Sequence, residues 1–405
     1  MTICFFEDEG DRLFAPLTLT RPVDDLRVGI FTIREKWQRY LNISHFTRVQ
    51  RVPLIRMFPA DLPGDNRDLL WINARWLPDS EAAGKVKKLN EGQTLRKDGR
   101  TVAARLSAAE SRKQFENGPV NFDPYFANET ESGSLVNFLW DLFLYNETEI
   151  RKDIALLKSA KTSTSSAFPQ AILVKPENIY AEPGVRVDPG AIIDASAGPV
   201  YLGRDSHIMS GAILQGPGAV CHQSVLKIGA KIYPGTTIGP VCKAGGEIHN
   251  VIMHSHSNKA HDGYLGNSLI GEWCNLGANT STSNLKNNYK PVKIPDWATG
   301  NVNPSSVRFF GTVMGDHVKT AINTALSAGT LLGVCCNIFT YRFPPNHVPS
   351  FSWVSPDGIV PYQFDKAMET AEIMMTRRKI PLQSEYKLMM KYLFDHRKKP
   401  DDQHT

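Results

Sequence analysis

A chain of 405 residues is more than one ordinary hydrophobic core organises, and it calls for two or three domains. With 41% hydrophobic and 21% charged residues, the balance is that of a globular protein and excludes a disordered or fibrous chain. The net charge of +5 is mild, and the short basic runs Arg377-Arg378-Lys379 and Arg397-Lys398-Lys399 read as solvated helix ends, so no nucleic-acid partner is expected.

The first residues, MTICFFEDEG, lack a basic n-region and reach acid at Glu7, unlike a signal peptide. No apolar run approaches the roughly 20 residues that span a bilayer. The six cysteines show no Cys-x-x-Cys pair and read as small buried hydrophobes in a reducing compartment. A cytoplasmic protein without a membrane partner is the expectation.

Ile3 to Phe6 reads as a buried strand that stops at Glu7-Asp8-Glu9-Gly10. A loop through Arg12 and Pro16-Leu17-Thr18 follows. Ile30, Ile33, Trp37 and Leu41 then fall at helical spacing. Strand, Gly/Arg loop and helix can present backbone N–H groups and a guanidinium to a phosphate, although an ordinary βα loop has the same spacing. Asp68 to Ile72 reads as a second strand ending at Asn73, and Gln93 to Leu106 as a hairpin turning at Asp98-Gly99. Leu139 to Leu142 and Ile150 to Leu157 close this part as a segment and a helix. Trp71 and Trp76 suit core packing, with stacking on a base as the alternative use.

Gly10-Asp11-Arg12-Leu13, Pro16-Leu17-Thr18 and Arg21-Pro22 resemble the signature loop of sugar-1-phosphate nucleotidyltransferases. The resemblance implies an α/β, Rossmann-like domain in which Gly10, Arg12 and Arg21 meet the phosphates of an NTP, with Mg²⁺ as cofactor. Three positions depart from the pattern, the first being Asp8, which stands at the first glycine of the family's usual pair. Val23 stands where the family has Lys, and Asn73 where it has a metal-binding Asp. The metal ligands stay unassigned.

Lys161 to Ala167, KTSTSSA, is a polar joint and the expected domain boundary. Beyond it the period changes to six. Ile208, Leu214, Val220, Leu226, Ile232 and Ile238 recur without interruption, and Pro-Gly pairs recur among them. Such repeats predict a parallel β-helix whose stacked coils bury one continuous aliphatic column. Ile270 and Leu276, then Ile322, Ala328 and Val334, are read as resuming the phase. The intervals at about 240–265 and 283–318 are read as loops leaving the coil, where solenoids commonly carry function. Phe343-Pro344-Pro345 is read as the end of the array.

Within the array His261 stands in Lys-x-His-Asp-Gly-Tyr. A neutral imidazole is suited to take a proton from an attacking amine near pH 7. The runs from His261 to Asn267 and from Ile270 to Ala278, with Ser283-Asn284-Leu285-Lys286, closely resemble the acetyltransferase domain of the bifunctional enzymes that make UDP-N-acetylglucosamine from glucosamine-1-phosphate. The resemblance implies a left-handed β-helix with His261 as catalytic base. It puts Tyr264, Asn275 and Asn284 on the sugar phosphate, with Lys290 reaching in from a loop and Lys286 adding a charge. It puts the backbone of Ala278 at the thioester of acetyl-CoA. The family's upstream lysine pair is replaced by Glu247-Ile248-His249-Asn250, so Lys243, Lys259 and Lys286 are candidates for the phosphate.

Histidines 254, 256 and 261 lie close together, but the neighbouring lysine opposes a dication, and zinc is not expected. Asp316-His317 and Lys319-Thr320 read as a polar coil corner, either solvated or beside coenzyme A. Phe364, Met368, Ala371 and Met375 predict an amphipathic helix, and Glu385 to His396 a second one after Pro381. The expected domains are a nucleotidyltransferase-like 1–165, a β-helix acyltransferase 166–345, and a helical arm 346–405. The resemblance implies a homotrimer that joins acetyl transfer to an amino-sugar 1-phosphate with nucleotidyl transfer from UTP. The alternative is a sugar-1-phosphate nucleotidyltransferase with a structural β-helix.

Overall fold

The computed structural model describes residues 2–49, 51–59, 68–116, 120–157, 161–162 and 167–397. They form two compact units. The described residues within 1–14, 21–26 and 31–139 make the first; those within 15–20, 27–30 and 140–405 make the second.

In the first unit, β1 (Thr2–Phe6) is buried at every position and pairs in parallel with β2 (Phe46–Arg48) and β3 (Leu69–Asn73). Continuous apolar runs suit a strand covered on both faces. The sheet continues through β4 (Gln93–Lys97), β5 (Arg100–Leu106) and β6 (Phe126–Glu129), in the order β2-β1-β3-β5-β4-β6. The hairpin of β4 and β5 turns at Asp98 and Gly99 as predicted, both with positive φ. The helix α1 (Ile33–Leu41) begins three residues later than Ile30. Thr32 supplies its start, because its side chain accepts from the Glu35 N–H while Glu35 returns a bond to the Thr32 N–H. Trp71 and Trp76 are fully buried. The Trp71 indole N–H donates to Ser111 Oγ at 3.0 Å and the Trp76 ring packs 4.7 Å from Trp37. Neither offers a face to a base, so both serve the core.

The helix α2 (Leu139–Ile154), in the second unit from its second residue on, is one continuous helix, where two separate pieces were expected. Its Asn146 donates to Gly235 O at 2.7 Å and accepts from the Gly29 N–H at 2.6 Å. Asp153 accepts from the Ile30 N–H at 2.7 Å. A side chain at Gly29 would meet Asp153 Oδ2 at 2.4 Å, and its φ of +78° favours glycine as well. Of the polar joint, 163–166 lie outside the described residues, while Lys161–Thr162 pairs with Ile179–Ala181.

The rest of this unit is the parallel β-solenoid that the repeat predicts, of the left-handed kind. One face is a ten-stranded sheet running from Lys161 to Val348. Ile208 pairs with Leu226 and Leu226 with Ala244, so one coil holds three six-residue repeats. The predicted column from Ile208 to Ile238 is buried throughout.

Three expectations for the later array fail. The interval 240–265 never leaves the coil: Ala244, Ile248, Met253 and Leu265 all belong to the buried column. Ala244 pairs with Lys259, a coil three residues shorter than its predecessors, and that shift hides the phase. The true excursion runs from 283 to 311 and carries an antiparallel pair, Lys293–Pro295 with Val302–Pro304. After it the inward positions are Met314, Thr320, Leu326, Leu332 and Ile338, whereas Ile322 is 69% exposed and Ala328 only half-buried. The array also continues past Pro345, because Val348 and Val354 stack on Leu332 and Ile338. Leu326→Ala is therefore expected to cost about 2–5 kcal/mol and Ile322→Ala under about 1 kcal/mol, read as shifts in the urea midpoint.

The tail folds as expected. α3 (Phe364–Thr376) buries Met368, Ala371 and Met375, and α4 (Ser384–Asp395) buries Tyr386, Met389 and Met390. Both dock on the solenoid: Tyr386 Oη lies 3.0 Å from His317 Nε2 and Arg378 donates to Asn258 Oδ1 at 3.3 Å. All six cysteines are free and buried. No helix among the described residues is long and apolar enough to cross a membrane.

Candidate active site

Parallel strands end together, so the carboxyl ends of β1 and β3 gather Glu7, Asp8 and Asn73 at one edge. Asp8 Oδ2 accepts from Arg75 Nη2 at 2.7 Å, Arg75 Nε at 3.0 Å and Asn73 Nδ2 at 3.1 Å. Arg75 is 2% exposed and also donates to Val136 O and Asn137 Oδ1. Glu7 accepts from Arg51 and from the Val23 N–H, both at 2.7 Å. Gly10 and Arg12 lie on a short 3₁₀ helix, Glu9–Phe14, with Arg12 exposed. Arg21 is buried and 4% exposed, and its carbonyl accepts from Arg51 at 3.4 Å. Arg12 and Arg21 thus have different surroundings.

The donor set at this edge does not fit Mg²⁺. A hard dication takes carboxylate oxygens, and here guanidinium groups already hold both acids. No group of three or more His, Cys, Asp or Glu able to hold a metal exists among the described residues.

The solenoid site grows from one coil corner. Lys259 is the last inward residue of the strand Asn258–Lys259, and Tyr264 opens the next strand, Tyr264–Gly266, on another face. His261 and Asp262 are exposed on the corner between them. The corners stack: the Asn279 N–H donates to Asp262 O at 3.0 Å and the Asn323 N–H to Ala278 O at 2.7 Å. His261 is thereby one coil from Ala278 and two from the exposed Ile322. Gly263 has φ +112°, and a Cβ there would sit 2.2 Å from Thr280 O, so the turn admits only glycine without moving the next coil.

Tyr264 and Asn284 come together as predicted. Asn284 Nδ2 donates to Tyr264 Oη at 3.1 Å and to Asn267 Oδ1 at 2.7 Å. Burial raises the Tyr264 phenol above its ordinary range, so it remains a neutral hydroxyl. Glu247 pairs with Tyr264 in register, and His249, its pKa lowered by burial, packs 5.6 Å from Tyr233 on the same face. Nothing in the spacing singled out Asn267 or His249.

Asn275 lies on the face of Asn258 and Lys319, away from Tyr264, so the two flank the His261 corner from different sides. Lys286 and Lys290 sit on the excursion, half-buried and exposed respectively. Among the described residues neither reaches Tyr264 or His261 by a hydrogen bond. One phosphate candidate falls away, and another lies on the face of Asn275. Lys259 points into the core at 1% exposure, and Lys243 shares the face of Asn258. Asp316 and His317, each 1% exposed, are not solvated. Asp316 accepts from Thr20 Oγ1 and the Glu272 N–H, both at 2.7 Å, so this corner serves packing.

Comparison with known proteins follows this division. Residues 3–162 match the model of the sugar nucleotidyl transferase family, so this segment is a domain of that kind. The chain is 39% identical over 90 residues to the bifunctional protein GlmU of Methanocaldococcus jannaschii, covering 22% of this chain and 21% of that one. It is 31% identical over 115 residues to the uncharacterized acetyltransferase YaiX of Escherichia coli, covering 28% of this chain and 50% of that one. The chain thus spans about a fifth of the length of the first of these relatives. Among solved structures, UDP-N-acetylglucosamine acyltransferase from Campylobacter jejuni covers 57% of this chain and 96% of its own, at 11% identity and a TM-score of 0.28.

Proposed function

We propose that the solenoid transfers an acetyl group from acetyl-CoA to the amine of an amino-sugar 1-phosphate, with His261 as the base. The observation that carries this is the exposed His261 corner bordered by the bonded Tyr264–Asn284–Asn267 cluster. The amine nitrogen attacks the thioester carbonyl, the N–C bond forms and the C–S bond breaks. His261 takes the proton that the nitrogen loses and returns it to the departing thiolate. Glucosamine-1-phosphate is the substrate we assign, and Lys286 and Lys290 are the cations on the excursion that would meet its phosphate. The site would lie between coils of adjacent subunits in a homotrimer, a cytoplasmic enzyme of cell-wall precursor synthesis. The N-terminal domain would receive the acetylated product and an NTP such as UTP, with Gly10, Arg12 and Arg21 at the phosphates. The domains 1–165, 166–345 and 346–405 would be its functional modules.

One observation favours a narrower reading, in which the N-terminal domain binds a sugar nucleotide but does not turn it over. Asp8, at the end of β1, is tied to Arg75 and Asn73. Pyrophosphate release from UTP and N-acetylglucosamine-1-phosphate separates the two. Release above background sustains the bifunctional reading, and its absence alongside active acetyl transfer leaves the narrower one.

The test of the acceptor site is Tyr264→Phe. Removing one hydroxyl from a bonded pair is worth about 0.5–1.5 kcal/mol, so the acceptor KM is expected to rise roughly 2- to 10-fold, with the acetyl-CoA KM unchanged. An unchanged acceptor KM would remove Tyr264 from the sugar site.

A further inference from the structure

A lysine is out of place in the interior of a β-solenoid. The column that contains Lys259 is otherwise aliphatic or small, with Ala244 below it and Leu276 above. Lys259 nevertheless loses little hydrogen bonding, because an ammonium has three donors and finds three backbone carbonyls. Nζ donates to Gly245 O at 3.3 Å, to Asp262 O at 2.9 Å and to His261 O. The first carbonyl belongs to the corner of the coil below. The other two belong to the corner that carries His261. One buried cation therefore ties that corner to its neighbour from inside.

We propose that Lys259 is the positioning residue of the acyl-transfer site: as an ammonium it clamps the carbonyls of Gly245, His261 and Asp262 and so fixes the direction in which the His261 ring leaves the coil. This rests on the acyl-transfer reading for its catalytic consequence, though not for its structural one. Loss of the proton leaves an amine with two donors facing three carbonyls, and one buried carbonyl loses its partner. The clamp is then incomplete and the corner is less constrained.

The pH at which this happens follows from the surroundings. Burial lowers the Lys259 pKa to about 8, with Asp262 opposing that shift. The other facing groups are Gly245 and Gly246 on the coil below and Leu276 above, while Lys243 and Glu247 take outward positions on their strands and Lys227 lies beside Gly245. Above the folded value the unfolded chain binds a proton that the folded chain lacks, up to about 10.4. From this group, global stability rises with pH in that window. Deprotonation of Lys259 would therefore lower activity through its own corner and not through a loss of global stability.

The experiment measures coenzyme A release from pH 6 to 9.5 in the full-length wild type, Lys259→Met and Lys259→Arg, with amide hydrogen exchange of 258–264 in each. The wild-type kcat is expected to fall with a midpoint near pH 8, with the acetyl-CoA KM constant within about twofold. Lys259→Met loses at least about tenfold in kcat at pH 7, and its profile no longer bends in that region. Lys259→Arg keeps its charge throughout, so its bend disappears from the measured range. A bend that persists in both variants, or a wild-type kcat in Lys259→Met, overturns the proposal. If Lys259→Met does not fold, Lys259→Arg decides alone. If the wild type releases no coenzyme A with any amino-sugar phosphate, the acyl-transfer reading fails, and exchange judges the clamp. Protection of 258–264 that weakens across the same pH window in wild type but not in Lys259→Arg supports it. Equal exchange in the two overturns it.

Discussion

Replacing His261 with alanine is expected to lower coenzyme A release by about 10²–10⁴-fold, the range that a positioned general base contributes. The same substitution is expected to leave the fold intact. The His261 side chain is exposed, and the bond that organises its corner is made by its backbone carbonyl, which alanine retains. Exposed substitutions of this kind stay within about ±0.5 kcal/mol. Pairing the two measurements separates chemistry from stability. A thermal midpoint equal to wild type with thiol release reduced at least a hundredfold assigns the base. Full activity in His261→Ala would remove the residue from the mechanism and leave the solenoid as a scaffold for the N-terminal domain. The effect should fall on kcat, because a base acts as the nitrogen loses its proton and contributes little to ground-state binding.

How much of this site was legible in the chain follows from the period of the repeat. From Ile208 to Ile238 each inward position is aliphatic and six residues from the last, and the buried column follows that spacing. The pattern fails where the coil shortens. Ala244 pairs with Lys259, so the phase slips, and the inward residue there is a lysine that no hydrophobic count would mark. The same failure recurs at Thr320, a buried inward threonine two residues before the exposed Ile322. Chemistry was more legible than geometry. His261 stood out as an imidazole beside a Gly turn, while Tyr264 and Asn284 came from the resemblance to the acetyltransferase domain; the structure bonds those two to each other. The pairing with Asn267 was not foreseen, because it depends on where the excursion returns to the coil, with Asn284 O accepting from the Phe310 N–H. In the first unit the strand, loop and hairpin were readable from local runs, whereas Asp8 and Arg75 are 67 positions apart and meet only through the parallel pairing of β1 and β3.

That contact carries the second large expected effect. Arg75→Ala is expected to destabilise the N-terminal domain by about 3–5 kcal/mol, the cost of removing one partner from a buried ion pair. Arg75 is 2% exposed and Asp8 about one-fifth exposed, so the lower part of that range is expected. The loss has three sources. Asp8 keeps its charge but loses two guanidinium donors. Val136 O and Asn137 Oδ1 lose theirs, which frees the segment that leads into α2. The space of a large buried side chain is left open. Removing both charged partners costs less than the sum of the single losses, since Asp8→Asn with Arg75→Met leaves no uncompensated charge. Urea unfolding of the wild type, Asp8→Asn, Arg75→Met and the double variant, followed by the fluorescence of Trp71 and Trp76 in the core of this unit, measures the coupling. A coupling energy of at least about 1.5 kcal/mol makes the pair a structural lock on the β1 edge, and a value near zero would mean that the contact between Asp8 and Arg75 adds nothing to stability.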